Sequence, residues 1–376
     1  MHLIVDAHED LAWNALTFGR DYSRSALATR QAERDGLAPA HNGNTLLGLP
    51  EYLLGHVAVV FSTLFVSPAR RKMGDWDVLT YADAREAHHR YAAQLDYYER
   101  LVDEHEQFTL IRGRRDLEAV LATWPGDDPS VAELALSVSK GPALGQRRVG
   151  LVPLMEGADG IREPEEAEGW MERGLRIVGL AWAATRYAGG TGEPGPLTPD
   201  GRRLLEVIAG LGLILDLSHA SDESFLDALE RFEGTVIASH ANPRARVMGT
   251  NYPERFLTDE MILRLAERGG VIGIVPFNRF LKAGWEASDG KQAVTLEAVA
   301  AMIDHVCQVT GSAAHVGIGS DFDGGFGVES APAELDTVAD LQLVGPALRA
   351  RGYSEKDVAA VLGQNWIELL RRGLPA

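Results

Sequence analysis

The chain has 376 residues, 45% hydrophobic and 24% charged, a balance that supports a sizeable buried core and excludes an intrinsically disordered chain. Its formal net charge of −18 argues against nucleic acid and anionic membrane surfaces as partners, because such a surface repels polyanions. The single cysteine, Cys307, excludes both an internal disulfide and a thiolate metal site.

Taken in order, the short β-rich runs are LIVDAH (3–8), HVAVVFSTLFV (56–66), VGLVPLMEG (149–157), LRIVGLAW (175–182), LGLILDLSH (211–219), TVIASH (235–240), GGVIGIVPF (269–277) and HVGIGSDFDG (315–324). Most are continuously apolar without alternation, the pattern of strands buried on both faces. Helical stretches are expected between them at 81–106, 165–173, 199–209, 222–231, 258–267 and 295–310. Eight strands alternating with helices predict an α/β fold, a parallel (β/α)8 TIM barrel forming one domain over 1–376. A doubly wound sheet is the rival, but its Gly-rich phosphate loop is missing after the first strand.

Two regions interrupt the rhythm. Residues 15–55 form a long connection after strand 1, of the length usual for lids and substrate walls. Residues 108–148 insert helical material after strand 2, punctuated by WPGDDP, and the RGRR at 112–115 reads as a solvated helix start. The tail, 333–372, reads as two closing helices with an N-cap in SEKD (354–357). No basic segment followed by an apolar one precedes Asp6, and no run of about 18 apolar residues occurs, so the expectation is a cytoplasmic chain without a membrane span.

Barrel chemistry sits at the C-terminal strand ends, and here those ends carry His8 and Asp10, Glu156, Trp182, His219, His240, and Asp321 with Asp323. Singly, each has a plain reading. VDAHEDLAW is a strand ending in a polar turn, and a histidine in LSHAS or ASHANP is a satisfied core residue. Jointly they have no structural motive, since apolar residues there would be more stabilising. His8 and Asp10, at i and i+2 of an extended chain, share a face. Three imidazoles with two or three carboxylates exceed one tetrahedral ion and suit two. Glu156 is then the natural bridge, with His8 and Asp10 on one ion and His219 and His240 on the other. Such a pair would generate a bridging hydroxide. Asp321 is left as general base and then acid, Asp323 as a loop or cap residue, and Glu9 as structural.

These segments resemble the membrane dipeptidase (renal dipeptidase) family of dizinc metallopeptidases, barrel enzymes of the amidohydrolase kind. DAHEDLAW is similar to its HxD opening, LMEG to its bridging-glutamate segment, LDLSHAS and IASHANPRA to its histidine segments, and GIGSDFDG to its aspartate loop. The resemblance implies His8, Asp10, Glu156, His219 and His240 as ligands of two zinc ions, with Mn, Co or Fe as alternatives, and Asp321 as the proton-transfer residue. It further implies Arg255, in RFLTDE, as the holder of a substrate carboxylate, and a homodimer. One departure stands out: where the family has a histidine near the end of strand 4, GLAWAATRYAGG has Trp182, which cannot carry a proton. Arg186 or Tyr187 is the expected replacement oxyanion donor. The expected function is hydrolysis of dipeptides, including those with a C-terminal D-residue. The alternatives are another amidohydrolase, acting on a lactam, lactone or N-acyl amino acid, and a non-catalytic binding barrel.

Overall fold

The computed structural model describes residues 1–124, 146–247 and 249–376. Eight strands form the barrel: β1 (Ile4–Glu9), β2 (Val57–Phe65), β3 (Val149–Glu156), β4 (Ile177–Gly179), β5 (Ile214–Asp216), β6 (Val236–Ile237), β7 (Ile272–Ile274) and β8 (Val316–Ile318). Each pairs in parallel with its chain neighbours, and β8 returns to β1 through Asp6 and Ile318. The β6–β7 seam is a single bridge between Ala238 and Ile272. All eight expected runs contain a strand, and every residue of β1, β2 and β3 is buried, as the continuous apolar runs predicted.

Several strands are shorter than their runs because polar side chains take over the backbone. The run over 211–219 is strand only from Ile214 to Asp216, beyond which the Asp216 carboxylate accepts the amide N–H groups of Ser218 (3.0 Å) and Ser239 (2.9 Å). The carbonyl of Ser239 turns into the barrel wall between β7 and β8. A Cβ at Gly273 or Gly319 would lie 1.8 or 1.9 Å from that oxygen, so only glycine fits at either position.

Helices cover the barrel where expected. The longest, Ala84–Glu104, starts on an Asp83 side-chain cap and buries Ala87, Tyr91, Leu95, Tyr98 and Leu101, one face at helical spacing. That face also carries the hydrogen bonds that fasten the strand ends. Tyr98 Oη donates to the Thr63 carbonyl (2.8 Å), and Tyr91 Oη donates to the Glu156 carbonyl (2.6 Å). In the tail, Ser354 forms a capping box with Asp357, as SEKD predicted.

The insertion over 108–148 is corrected in part. Phe108–Leu110 is a short strand, not helix, pairing with the first half of β3 because Phe108 and Leu110 bury against it, and a helix follows at Arg114–Leu121. Most of WPGDDP lies outside the described residues. Among the described residues, no helix is long and apolar enough to cross a membrane.

Candidate metal centre

Five strand ends deliver imidazoles and carboxylates to one point. His8, in β1, is fully buried, and Asp10 follows as the residue that starts the helix Leu11–Phe18. Glu156 ends β3, its Oε1 lying 3.1 Å from His219 Nε2 and 3.4 Å from His240 Nε2, and its Oε2 3.7 Å from His8 Nε2. The His8 and His240 rings stack with centroids 3.6 Å apart. Asp321 Oδ1 stands 3.9 Å from His8 Nε2, and its amide donates to the His8 carbonyl (3.0 Å), which fixes the β8 loop beside the end of β1.

The backbone is bent to achieve this. Four non-glycine residues in the described chain have positive φ, and His219 (64°), Asp321 (57°) and Asp323 (64°) are three of them. Strain of that kind costs about 1–3 kcal/mol per residue and persists where a site requires it. Gly324 serves the same end: a Cβ there would lie 2.1 Å from Asp321 Oδ1 and 2.8 Å from Asp10 Oδ2, covering both carboxylates.

The donor set fits divalent cations. His8 Nε2 and Asp10 Oδ1 are buried with no hydrogen-bond partner, an arrangement that is costly unless something else satisfies them. The Nε2 atoms of His219 and His240 are 2.9 Å apart, so two ring nitrogens compete for one position. Two groups, His8 with Glu156 and His240, and His8 with Asp10 and Asp321, bring their ligand atoms within 4.8 Å of one another. The second group places Asp321 at the His8–Asp10 end of the centre. Imidazole with carboxylate is the set chosen by zinc and its neighbours.

Protonation follows the same crowding. Burial opposes charge on His8, yet Glu156, Asp10 and Asp321 outweigh it and raise the imidazole to about 9. Burial alone would raise Glu156, but the positive His8 and the adjoining His219 and His240 imidazoles hold its carboxyl well below the usual range. For Asp321 burial wins over His8 and Arg255, raising the carboxyl to about 7. Burial, with Arg255 nearby, lowers His219 to about 4, leaving that imidazole neutral and free to bind a cation.

Arg255 lies against the same centre. Its guanidinium is buried, donates through Nη1 to the His240 carbonyl (2.8 Å), and sits over the Phe280 ring at 5.2 Å. Its Nη2 has no hydrogen-bond partner and is 4.0 Å from Asp321 Oδ2. Trp182 is half-buried, with its ring 6.3 Å from that of His219 and 5.1 Å from Phe65. Arg186 and Tyr187, the expected oxyanion donors, have partners of their own. The Arg186 guanidinium is engaged by Asp200 (3.1 Å) and the Arg162 carbonyl, and Tyr187 is fully buried with its hydroxyl donating to the Ile161 carbonyl. The one proton of the Tyr187 hydroxyl is thereby spent, and Arg186 is tied to Asp200 and Arg162 by two of its five N–H donors.

Residues that single-motif reasoning passed over are those behind the imidazoles. Asp216 and Ser239 stand behind His240, and Thr191 Oγ1 lies 3.0 Å from His219 Nδ1. The available signal was the pairing of Asp216 in LDLSH with Ser239 in IASH on adjacent strands. Asp323 is more than a loop residue. It is fully buried and takes Arg20 (2.9 Å), Tyr22 (2.8 Å) and Thr45 (2.6 Å) on one carboxylate oxygen, tying the 15–55 connection to the barrel mouth. Glu9 is buried and accepts the Tyr52 hydroxyl, in keeping with a structural role.

A parallel (β/α)8 barrel with imidazoles and carboxylates converged at its strand ends belongs to the class of metal-dependent barrel proteins. The membrane dipeptidase family, peptidase family M19, matches residues 132–373, and the chain belongs to that family. An uncharacterized protein in the pqqA 5' region of Klebsiella pneumoniae is 30% identical over 233 residues, covering 59% of this chain and 81% of the relative. Dipeptidase tcpJ of Claviceps purpurea is 32% identical over 205 residues, 53% of this chain but only 44% of the relative. The fold is shared with a metallo peptidase from Rhodobacter sphaeroides, solved with a phosphinate mimic of the dipeptide L-Ala-D-Ala. The TM-score is 0.74 at 22% identity, with 99% of each chain covered.

Proposed function

We propose that this protein is a zinc-dependent dipeptidase that cleaves the amide bond of small dipeptides, including those with a D-residue at the C-terminal position. The observation that carries the reading is the buried, unpartnered Nη2 of Arg255 beside Asp321 and the imidazole cluster. A buried guanidinium nitrogen without an acceptor is a place for an anion, and a dipeptide's carboxylate supplies one. His8, Asp10, Glu156, His219 and His240 would hold two divalent ions. When bound, these supply Lewis acidity toward the scissile carbonyl and a water activated as hydroxide near neutral pH.

The chain's own residues do the rest. Arg255 anchors the carboxylate and so sets the distance from the scissile amide to the cluster. Asp321, raised to about 7 by burial against the pull of His8 and Arg255, takes the proton of the attacking water and delivers it to the leaving amine. Glu156 stays ionised between the imidazoles. D-residue tolerance is supported by the L-Ala-D-Ala mimic on the Rhodobacter protein. A second reading, hydrolysis of another small amide or lactam, is favoured by one feature: Trp182, beside His219, can donate a hydrogen bond but cannot shuttle a proton.

The test is metal content of the purified protein together with hydrolysis of an L,L and L,D dipeptide panel, for wild type and His219→Ala. About two zinc equivalents with cleavage, and the loss of both metal and at least about 100-fold of rate in the variant, are the expected results. Metal without cleavage turns the reading to other amides; no metal overturns it.

A further inference from the structure

We propose that the buried pair Asp216–Ser239 is a positioning relay that fixes the tautomer of His240 and orients His8, two imidazoles expected on different ions. The proposal rests on the metal reading above. It starts from hydrogen-bond bookkeeping on fully or almost fully buried groups, since Asp216 is 2% exposed and Ser239 0%.

Asp216 Oδ1 accepts the amide N–H groups of Ser218 (3.0 Å) and Ser239 (2.9 Å). Its Oδ2 accepts the Ser239 hydroxyl. A serine hydroxyl has one proton and two lone pairs. With its proton committed to a carboxylate, which only accepts, Ser239 Oγ can only accept from its other neighbours, and from no more than two at once. The nearest neighbour is His240 Nδ1 at 2.8 Å, followed by the Ser218 hydroxyl at 3.3 Å and His8 Nδ1 at 3.4 Å. Ser218 Oγ already accepts the His240 amide at 3.1 Å, so its proton is free to point at Ser239.

His240 therefore carries its proton on Nδ1 and turns the Nε2 lone pair toward Glu156 and His219. His8, stacked on His240, reaches the same hydroxyl and turns an unpartnered Nε2 into the centre. One oxygen thus faces the rear nitrogens of both imidazoles, whereas His219 is held separately by Thr191. Partners of this kind usually set ligand basicity and affinity.

Asp216→Asn gives the sharp test because it reverses the relay without changing its shape. The two amide donors keep the Asn carbonyl oxygen where Oδ1 was, which turns the NH2 toward Ser239 Oγ. The serine O–H then donates its hydrogen bond to His240 Nδ1, so that the ring's own proton sits on Nε2, where it blocks a cation. The first measurement is 15N NMR of imidazole nitrogens in metal-free protein, at a pH where the spectrum shows His240 neutral. The second is competitive chelator titration of zinc, for wild type, Asp216→Asn and Ser239→Ala.

Expected are an Nδ1–H His240 in wild type, an Nε2–H His240 in Asp216→Asn, and zinc affinity about 10- to 100-fold weaker in both variants. An unchanged tautomer in Asp216→Asn overturns the relay even if affinity falls, since the loss is then merely structural. Should Asp216→Asn fail to fold by circular dichroism, Ser239→Ala decides: wild-type affinity and an unchanged Nδ1–H population overturn the proposal. A wild type that takes up no zinc defeats the metal reading instead, while the metal-free spectra still judge the relay.

Discussion

Each residue of the centre is costly by itself. His8 Nε2, Asp10 Oδ1 and Arg255 Nη2 are buried polar atoms without partners, and each such atom costs about 1–3 kcal/mol, more if charged. Two of these debts fit cations, and the third fits an anion. Arg255 therefore carries the most specific prediction at this scale. Arg255→Ala should raise KM for a free dipeptide about 10- to 100-fold, the worth of a charge-assisted hydrogen bond. A C-terminally amidated dipeptide should be a poor substrate for wild type and lose little more in the variant. Metal content should be unchanged; equal losses on both substrates would instead mark Arg255 as a prop for the His240 carbonyl.

Among elements, the long 15–55 connection is held to the barrel through Asp323. One carboxylate oxygen takes Arg20, Tyr22 and Thr45, the other takes the Leu46 amide (3.2 Å), and the Asp323 carbonyl accepts Asn14 and Asn42. Asp321, two residues earlier, belongs to the centre, so the connection and the proposed proton-transfer residue share one tight loop. Asp323→Ala would leave the Arg20 guanidinium buried beside only Glu33 and neutral groups. The expected loss is about 3–5 kcal/mol in urea unfolding, because Tyr22, Thr45 and the Leu46 amide lose their acceptor along with Arg20, at about 1–3 kcal/mol for each buried polar group left unmet. A loss below about 1 kcal/mol would show that the connection is held by its apolar contacts instead.

At the scale of the whole molecule, the barrel mouth concentrates carboxyl groups. Asp10, Glu156 and Asp321 face one another with His8 as the protonated partner, in a chain already at −18. Divalent ions would bind the folded arrangement and not the unfolded chain, and so add about 4 kcal/mol at a thousandfold excess over Kd. Chelation followed by dialysis should therefore lower Tm by several degrees, and zinc should restore it, as measured by calorimetry. A Tm indifferent to chelator would mean that the mouth holds no ion tightly.

The barrel and the types of residue at its strand ends are legible in the linear chain. Strands buried on both faces must be continuously apolar, which makes them visible in a chain, and a histidine or carboxylate closing such a run is conspicuous. LIVDAH, VGLVPLMEG, TVIASH and their fellows could be read this way one by one, and the family resemblance ordered them. Tertiary structure decided what linear spacing does not encode. Trp182, Arg186 and Tyr187 are close neighbours in sequence, yet the indole lies beside His219 while the arginine turns to Asp200 and the tyrosine to Ile161. Asp323 looked like a turn residue because its partners, Arg20, Tyr22 and Thr45, come from the other end of the chain. Ser239 was hidden for the same reason: its meaning lies in Asp216 on β5 and His8 on β1, brought within hydrogen-bonding reach only when the barrel closes.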